Sequence, residues 1–311
     1  MSDQPAQHMQ CMEVWGGSQL TARSVEFGGL DAWVYSKPYG QAHAGGDIYY
    51  ASSCATGRIS RLLLADVAGH GQTVANTAAD LRALMRRFVN RLDQTEFVRL
   101  LNQQFSALPR TGAFATAIVT TFFEPSRRLT ICNAGHPRPM LYRAAQRQWD
   151  FLGSLAPGQR SAPSNIPLGL FDAAEYEQFD IELEPGDCLL SYTDALIESR
   201  DADGEMLGED GLLRITRLLG DVEPQKLIET LLGEIEARYP ENLSEDDVTV
   251  LVVRANGRRL RHPLSERLRA VGRFTSALLR GDHAPFPDAK LANIGGAIIP
   301  ALGRRWRAGR R

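Results

Sequence analysis

Short strand-forming stretches recur along the first 255 residues, at 30–36, 48–53, 59–66, 114–123, 128–133, 138–142, 178–183, 188–192 and 248–254. They are rich in β-branched and aromatic residues, and turn formers such as Glu124-Pro125-Ser126 and Glu184-Pro185-Gly186-Asp187 separate several of them. Links this short join antiparallel neighbours, because a parallel crossover needs a dozen or more residues. Between the strand clusters the period becomes helical. Val74, Thr77, Ala78, Leu81, Leu84, Met85 and Phe88 form one apolar stripe, and Phe97, Leu100, Leu101, Phe105 and Leu108 form a second. Residues 212–219 and 224–238 predict two later helices. Helices inserted in pairs between antiparallel strands predict an α+β domain in which two packed sheets are covered by helices. The Gly-, Pro- and Ser-rich stretch 152–167 predicts a surface loop.

Charge divides the chain. From Gly257 to Arg311 there are 13 Lys/Arg against 3 Asp/Glu, so with the whole chain at −2 the first 256 residues carry −12. An acidic body of that length holds a substantial core, and the basic segment reads as an appendage. The polar start of the chain lacks the layout of a signal peptide, and no run approaches the ~18 apolar residues of a membrane span. Cys11, Cys54, Cys132 and Cys188 show no CxxC spacing and read as reduced, packed thiols of a cytoplasmic protein.

Four acidic motifs carry the chemistry: Gly45-Gly46-Asp47, Asp66-Val67-Ala68-Gly69-His70-Gly71, Tyr192-Thr193-Asp194 and Asp246-Asp247-Val248-Thr249. Three of them stand where a strand-like run begins or ends, so a sheet can gather their carboxylates at one rim. A single Asp at a strand end is an ordinary turn residue. Several ionised carboxylates at one rim repel one another unless a cation neutralises them. Oxygen donors without Cys or His select Mg²⁺ or Mn²⁺, and two such ions clamp the oxygens of an in-line phosphoryl displacement.

The ordered series Gly45-Gly46-Asp47-Ile48-Tyr49, Asp66 to Gly71, Asn133-Ala134-Gly135-His136-Pro137, Ser191 to Glu198 and Asp246 to Leu251 strongly resembles the metal-dependent serine/threonine protein phosphatases, in their bacterial SpoIIE/RsbU branch. The resemblance covers residues 20–256. It implies an αββα sandwich of two antiparallel sheets flanked by helices, with two Mn²⁺ or Mg²⁺ ions at one end. It implies that Asp66 bridges both ions, that the Val67 carbonyl completes the first, that Asp194 and Asp247 hold the second, and that Asp47 is a direct ligand or binds through water. A metal-activated water, and no side chain, would then be the nucleophile. Two positions depart from the family pattern: Tyr50 stands where a second Asp is usual, and Ala195 where Gly is usual. Neither removes a principal ligand. His70 and His136 are candidates for protonating the leaving oxygen, although a histidine in such a tight turn can equally serve only to hydrogen-bond a neighbouring strand.

These readings divide the chain into an N-terminal extension (1–20), a phosphatase domain (21–256) and a basic amphipathic tail (257–311). Leu264, Leu268, Val271, Phe274 and Leu278 can share one helical face of the tail, with Arg clusters beside Trp306 near its end. Two readings of the tail stay open: a helix packed on the acidic body, or attachment to an anionic membrane surface at its inner face. Nucleic acid is not expected, because the acidic body repels a phosphate backbone. By the resemblance, the substrate is a phosphorylated regulatory protein of the anti-sigma-factor-antagonist type. The competing readings are a non-catalytic partner-binding module that keeps the fold, and a phosphatase of a small phosphate ester at the membrane. With only about 20 residues ahead of the phosphatase domain, control is expected from a separate protein, the tail or self-association as a homodimer.

Overall fold

The computed structural model describes residues 7–8, 14–40, 42–53, 58–69, 72–89, 91, 93–108, 112–152 and 164–258. In chain order the first strands are β1 (Gln7–His8), β2 (Val14–Gly17), β3 (Thr21–Glu26), β4 (Leu30–Lys37), β5 (Ile48–Ser53) and β6 (Ile59–Val67). Helices α1 (Gln72–Phe88) and α2 (Gln94–Ser106) follow. Next come β7 (Ala115–Phe123), β8 (Arg128–Ala134), β9 (Met140–Arg143), β10 (Gln148–Phe151), β11 (Ser164–Asn165), β12 (Phe179–Glu182) and β13 (Cys188–Tyr192). Helices α3 (Ala195–Glu198), α4 (Gly208–Leu219) and α5 (Pro224–Glu236) lead to the last strand, β14 (Val248–Ala255).

The strands make two sheets, in the orders β1-β3-β4-β14-β13-β9-β10 and β11-β8-β7-β6-β5-β2, with β12 also paired to β8. Pairing is antiparallel except at the two-residue strands β1 and β11. Three apolar layers hold the stack together. Leu30, Ala32 and Val34 of β4, Leu62 and Leu64 of β6, and Leu251 and Val253 of β14 pack between the sheets. Their alternate neighbours turn outward, Val248, Val250 and Val252 toward α4 and α5, Leu63, Ala65 and Val67 toward α1 and α2. Period-two alternation thus fills a layer on each side of a strand, which is why β6 and β14 read as near-continuous apolar runs. The result is the expected four-layer αββα sandwich. Buried Arg61 fixes the α1–α2 link by donating to the Val89 and Arg91 carbonyls, at 2.9 and 2.7 Å.

Several boundaries differ from expectation. Helix α4 begins at Gly208, four residues before the predicted 212–219, because its first turn is polar and carries no apolar stripe. The mixed composition of β3 hides its strand character, and β10 is too short to stand out. β11 falls inside the predicted loop 152–167, of which 153–163 lie outside the described residues. Cys132 and Cys188 are free and buried, as expected of reduced packed thiols, whereas Cys11 and Cys54 lie outside the described residues. The tail from 259 onward, with its expected helix and membrane contact, also lies outside them. Among the described residues no helix is long and apolar enough to cross a membrane.

Candidate metal centre

All four acidic motifs meet at one rim of the sandwich, because β5 and β14 begin where β6 and β13 end. Gly45 and Gly46 let the first motif lie against the last. Asp247 is 4% exposed, and its carboxylate accepts the backbone N–H of Tyr39 at 2.6 Å, Gly46 at 2.5 Å and, more weakly, Asp47 at 3.4 Å. A Cβ on Gly45 would stand 2.2 Å from Asp247 Oδ1, and one on Gly46 would stand 2.8 Å from the Val67 carbonyl oxygen. The glycines are therefore required by close approach. Gly45→Ala is expected to cost about 1–3 kcal/mol through overpacking and to reduce turnover by displacing Asp47; denaturant unfolding alongside a rate measurement checks both.

Asp47 is 3% exposed. Its Oδ2 accepts the Thr193 hydroxyl at 2.8 Å, and Thr249, itself bonded to Ser36 at 3.0 Å, supports the same buried network. Burial, then the charge of Asp66, pushes the Asp47 carboxyl well above the usual carboxylate range, with Asp247 adding to the rise. Burial and the neighbouring Asp194, Asp246, Asp247 and Glu198 push Asp66 up to about 8. Burial, then Glu198 and Asp246, raises Asp194 to about 6.

Two groups of carboxylates emerge from these interactions, and Asp66 belongs to both. The inner group is Asp47 with Asp247, buried between the sheets. The outer group is Asp194, Asp246 and Glu198, part-exposed or exposed at the rim, where Asp246 and Glu198 line one shallow depression beside Ala195. Repulsion of this kind is relieved by protons or by a cation, and carboxylates with a backbone carbonyl suit a hard divalent ion. The donor chemistry therefore fits Mg²⁺ or Mn²⁺. Among the described residues, though, no three His, Cys, Asp or Glu side chains stand close enough together to hold one ion as placed. The inner carboxylates are turned onto amides and Thr193.

The sequence reading named Asp47, Asp66, Val67, Asp194 and Asp247, and all five lie at this rim. It missed Asp246 and Glu198. Asp246 joins the outer group, since after burial and Glu198 it is Asp246 that raises Asp194, whereas Asp247 is engaged by amides. Tyr50 is not at the rim at all: it is buried under α1 and α2, where burial pushes its hydroxyl up to about 12. Ala195 starts α3 without a positive φ, so its methyl group is tolerated. His70 lies outside the described residues. His136 is buried and desolvation pulls its pKa down to about 3, which favours a neutral ring at pH 7 and disfavours it as a leaving-group acid.

A family model described as Stage II sporulation protein E (SpoIIE) matches residues 57–256. None of the curated proteins matches the chain in sequence. Solved structures match its fold. The RsbU and RsbW domains of Rv1364c from Mycobacterium tuberculosis align at 23% identity over 86% of this chain and 73% of that one, with a TM-score of 0.60. The PP2C phosphatase domain and a regulatory fragment of SpoIIE from Bacillus subtilis align at 17% identity over 79% of this chain and 64% of that one, with a TM-score of 0.59. RsbX in complex with magnesium aligns at 16% identity over 75% of this chain and 99% of that one, with a TM-score of 0.52.

Proposed function

We propose, from the premise that this chain belongs to the SpoIIE family and is a protein phosphatase, that it hydrolyses phosphoserine or phosphothreonine on a regulatory protein of the anti-sigma-factor-antagonist type. The observation that carries the reading is the shared position of Asp66 between two groups of carboxylates, where burial first and the neighbouring acids second raise its pKa to about 8. The structural similarity to RsbX, a protein solved with magnesium, supports a divalent cation here.

In this reading Asp66 would be shared by two ions, the Val67 carbonyl and Asp47 would help hold one of them, and Asp194 and Asp246 would help hold the other. Asp247 shapes the Gly45-Gly46-Asp47 turn. A bound divalent cation supplies Lewis acidity, lowering the pKa of water and offsetting charge on the phosphoryl oxygens. The chain's own groups do the positioning. The Thr193 hydroxyl donates to Asp47 and itself accepts the Thr249 N–H, and Thr193 and Thr249 are both fully buried, which keeps water from these bonds. His136, buried and with its pKa pulled down by desolvation, is poorly suited to supply the proton to the leaving oxygen at neutral pH.

A second reading, a partner-binding module without turnover, is favoured by one observation, that no three candidate ligands converge as placed among the described residues. Hydrolysis of p-nitrophenyl phosphate separates the two. Turnover that requires added Mn²⁺ or Mg²⁺ and stops in EDTA is expected; full activity after exhaustive EDTA treatment sinks the metal mechanism, and no turnover with either ion supports the binding module.

A further inference from the structure

His136 stands between the two sheets just below the rim. Gly135 takes φ +71° to start the turn. Asn133 closes it, its Oδ1 accepting the His136 N–H at 2.8 Å and its Nδ2 donating to the His136 carbonyl at 2.9 Å. So held, the imidazole is 4% exposed. Its Nδ1 lies 2.8 Å from the Thr116 hydroxyl oxygen on β7. The Tyr192 backbone on β13 also interacts with the ring as an acceptor; with Nδ1 on Thr116, Nε2 is the nitrogen left for that carbonyl, short of good hydrogen-bond geometry.

The two neighbours decide the tautomer. A carbonyl oxygen offers only lone pairs, so the nitrogen that faces it carries the ring hydrogen, and in a neutral ring the other nitrogen is bare. Nδ1 therefore accepts, and Thr116 donates. That matters because Thr116 is the direct cross-strand partner of Asp66. Directly opposed residues of an antiparallel pair project from the same face with Cβ atoms about 4.5–5.5 Å apart. A hydroxyl there has two places to send its proton: the imidazole or the carboxylate.

We propose that His136 is a positioning residue that draws the Thr116 hydroxyl proton away from Asp66, leaving that carboxylate's lone pairs to a cation. The inference rests on the metal-dependent phosphatase reading above and assigns a task to a histidine that reading leaves unused. The low pKa of His136 supports it, since only an unprotonated Nδ1 can accept.

Two measurements on the full chain test it. Nitrogen-15 NMR of histidine in cation-free protein at pH 7 is expected to show one ring locked as the neutral Nε2–H tautomer; an Nδ1–H or doubly protonated ring at His136 overturns the proposal. Magnesium binding by calorimetry supplies the second. His136→Leu should weaken binding about tenfold, the low end for a residue that orients a ligand from outside the coordination sphere. The double variant His136→Leu with Thr116→Val should regain most of that loss, because the stray proton has gone. A double variant that binds as weakly as His136→Leu, or worse, overturns the proposal, since two packing defects do not cancel. If the wild type binds no magnesium, the phosphatase reading itself fails, and if His136→Leu does not fold, the tautomer still decides.

Discussion

Asp66→Asn should abolish turnover and, in the same protein, stabilise the cation-free domain at alkaline pH. The first half follows from its place in both carboxylate groups. On the proposed function, losing a ligand shared by two ions would remove several kcal/mol of transition-state charge stabilisation, and at about 1.4 kcal/mol per tenfold the rate should fall about a thousandfold or more. The second half follows from linkage. The Asp66 pKa rises from 3.8 to about 8 on folding, so the folded state holds this proton more tightly than the unfolded chain does. Its contribution to stability is complete below pH 3.8 and is lost as pH rises through about 8. Cation-free wild type should therefore weaken between pH 4 and 8, and the neutral amide of Asp66→Asn should not share that part of the loss. Denaturant unfolding in EDTA at pH 4 and pH 8 checks the prediction. Equal stability of the two proteins at pH 8 would show that Asp66 carries no trapped charge, and the argument for a cation would lose its main support.

The same reasoning shows why a metal site of this kind is legible in sequence and why its details are not. Asp47 and Asp66 adjoin short apolar runs that read as strands, and the two strands pair so that Ile48 meets Ala65. Strand ends that pair in this way bring both acids to one rim whatever the rest of the chain does. The Asp246-Asp247 pair is different. Successive residues of a strand project to opposite faces, so only one of the two can point between the sheets, and a sequence does not say which face of β14 will meet the other sheet. The inward set Leu251 and Val253 extends back through Thr249 to Asp247. That alternation favours Asp247 as the buried residue, and the amides of Tyr39 and Gly46 then claim it. Glu198 escaped notice because it lies one helical turn past Asp194, a spacing that puts two acids on one face only once α3 is known to form. The burial of His136 is not legible in its turn motif, since it depends on the gap between the sheets and on Asn133 closing the turn.

Asp246→Asn and Asp247→Asn should therefore fail in different ways. Asp247 accepts three backbone N–H groups, and hydrogen bonds to a charged acceptor contribute about 1.5–3 kcal/mol each. An Asn can keep one oxygen on one amide, but its NH₂ group then faces another donor, which leaves a buried N–H unpaired. Asp247→Asn should lose about 2–4 kcal/mol of stability in EDTA, with activity falling because the Gly45-Gly46-Asp47 turn loosens. Asp246 is part-exposed and accepts the Asp247 backbone N–H at 2.7 Å, which an amide oxygen can also do. Its replacement should change stability by less than about 0.5 kcal/mol, and should raise the Mn²⁺ concentration needed for half-maximal turnover by ~10-fold or more, as expected for a lost charged ligand. Unfolding in EDTA and a manganese titration of rate, run on both variants, separate the roles. If Asp247→Asn keeps its stability while Asp246→Asn keeps its manganese affinity, the assignment is reversed, and Asp247 is the ligand after all.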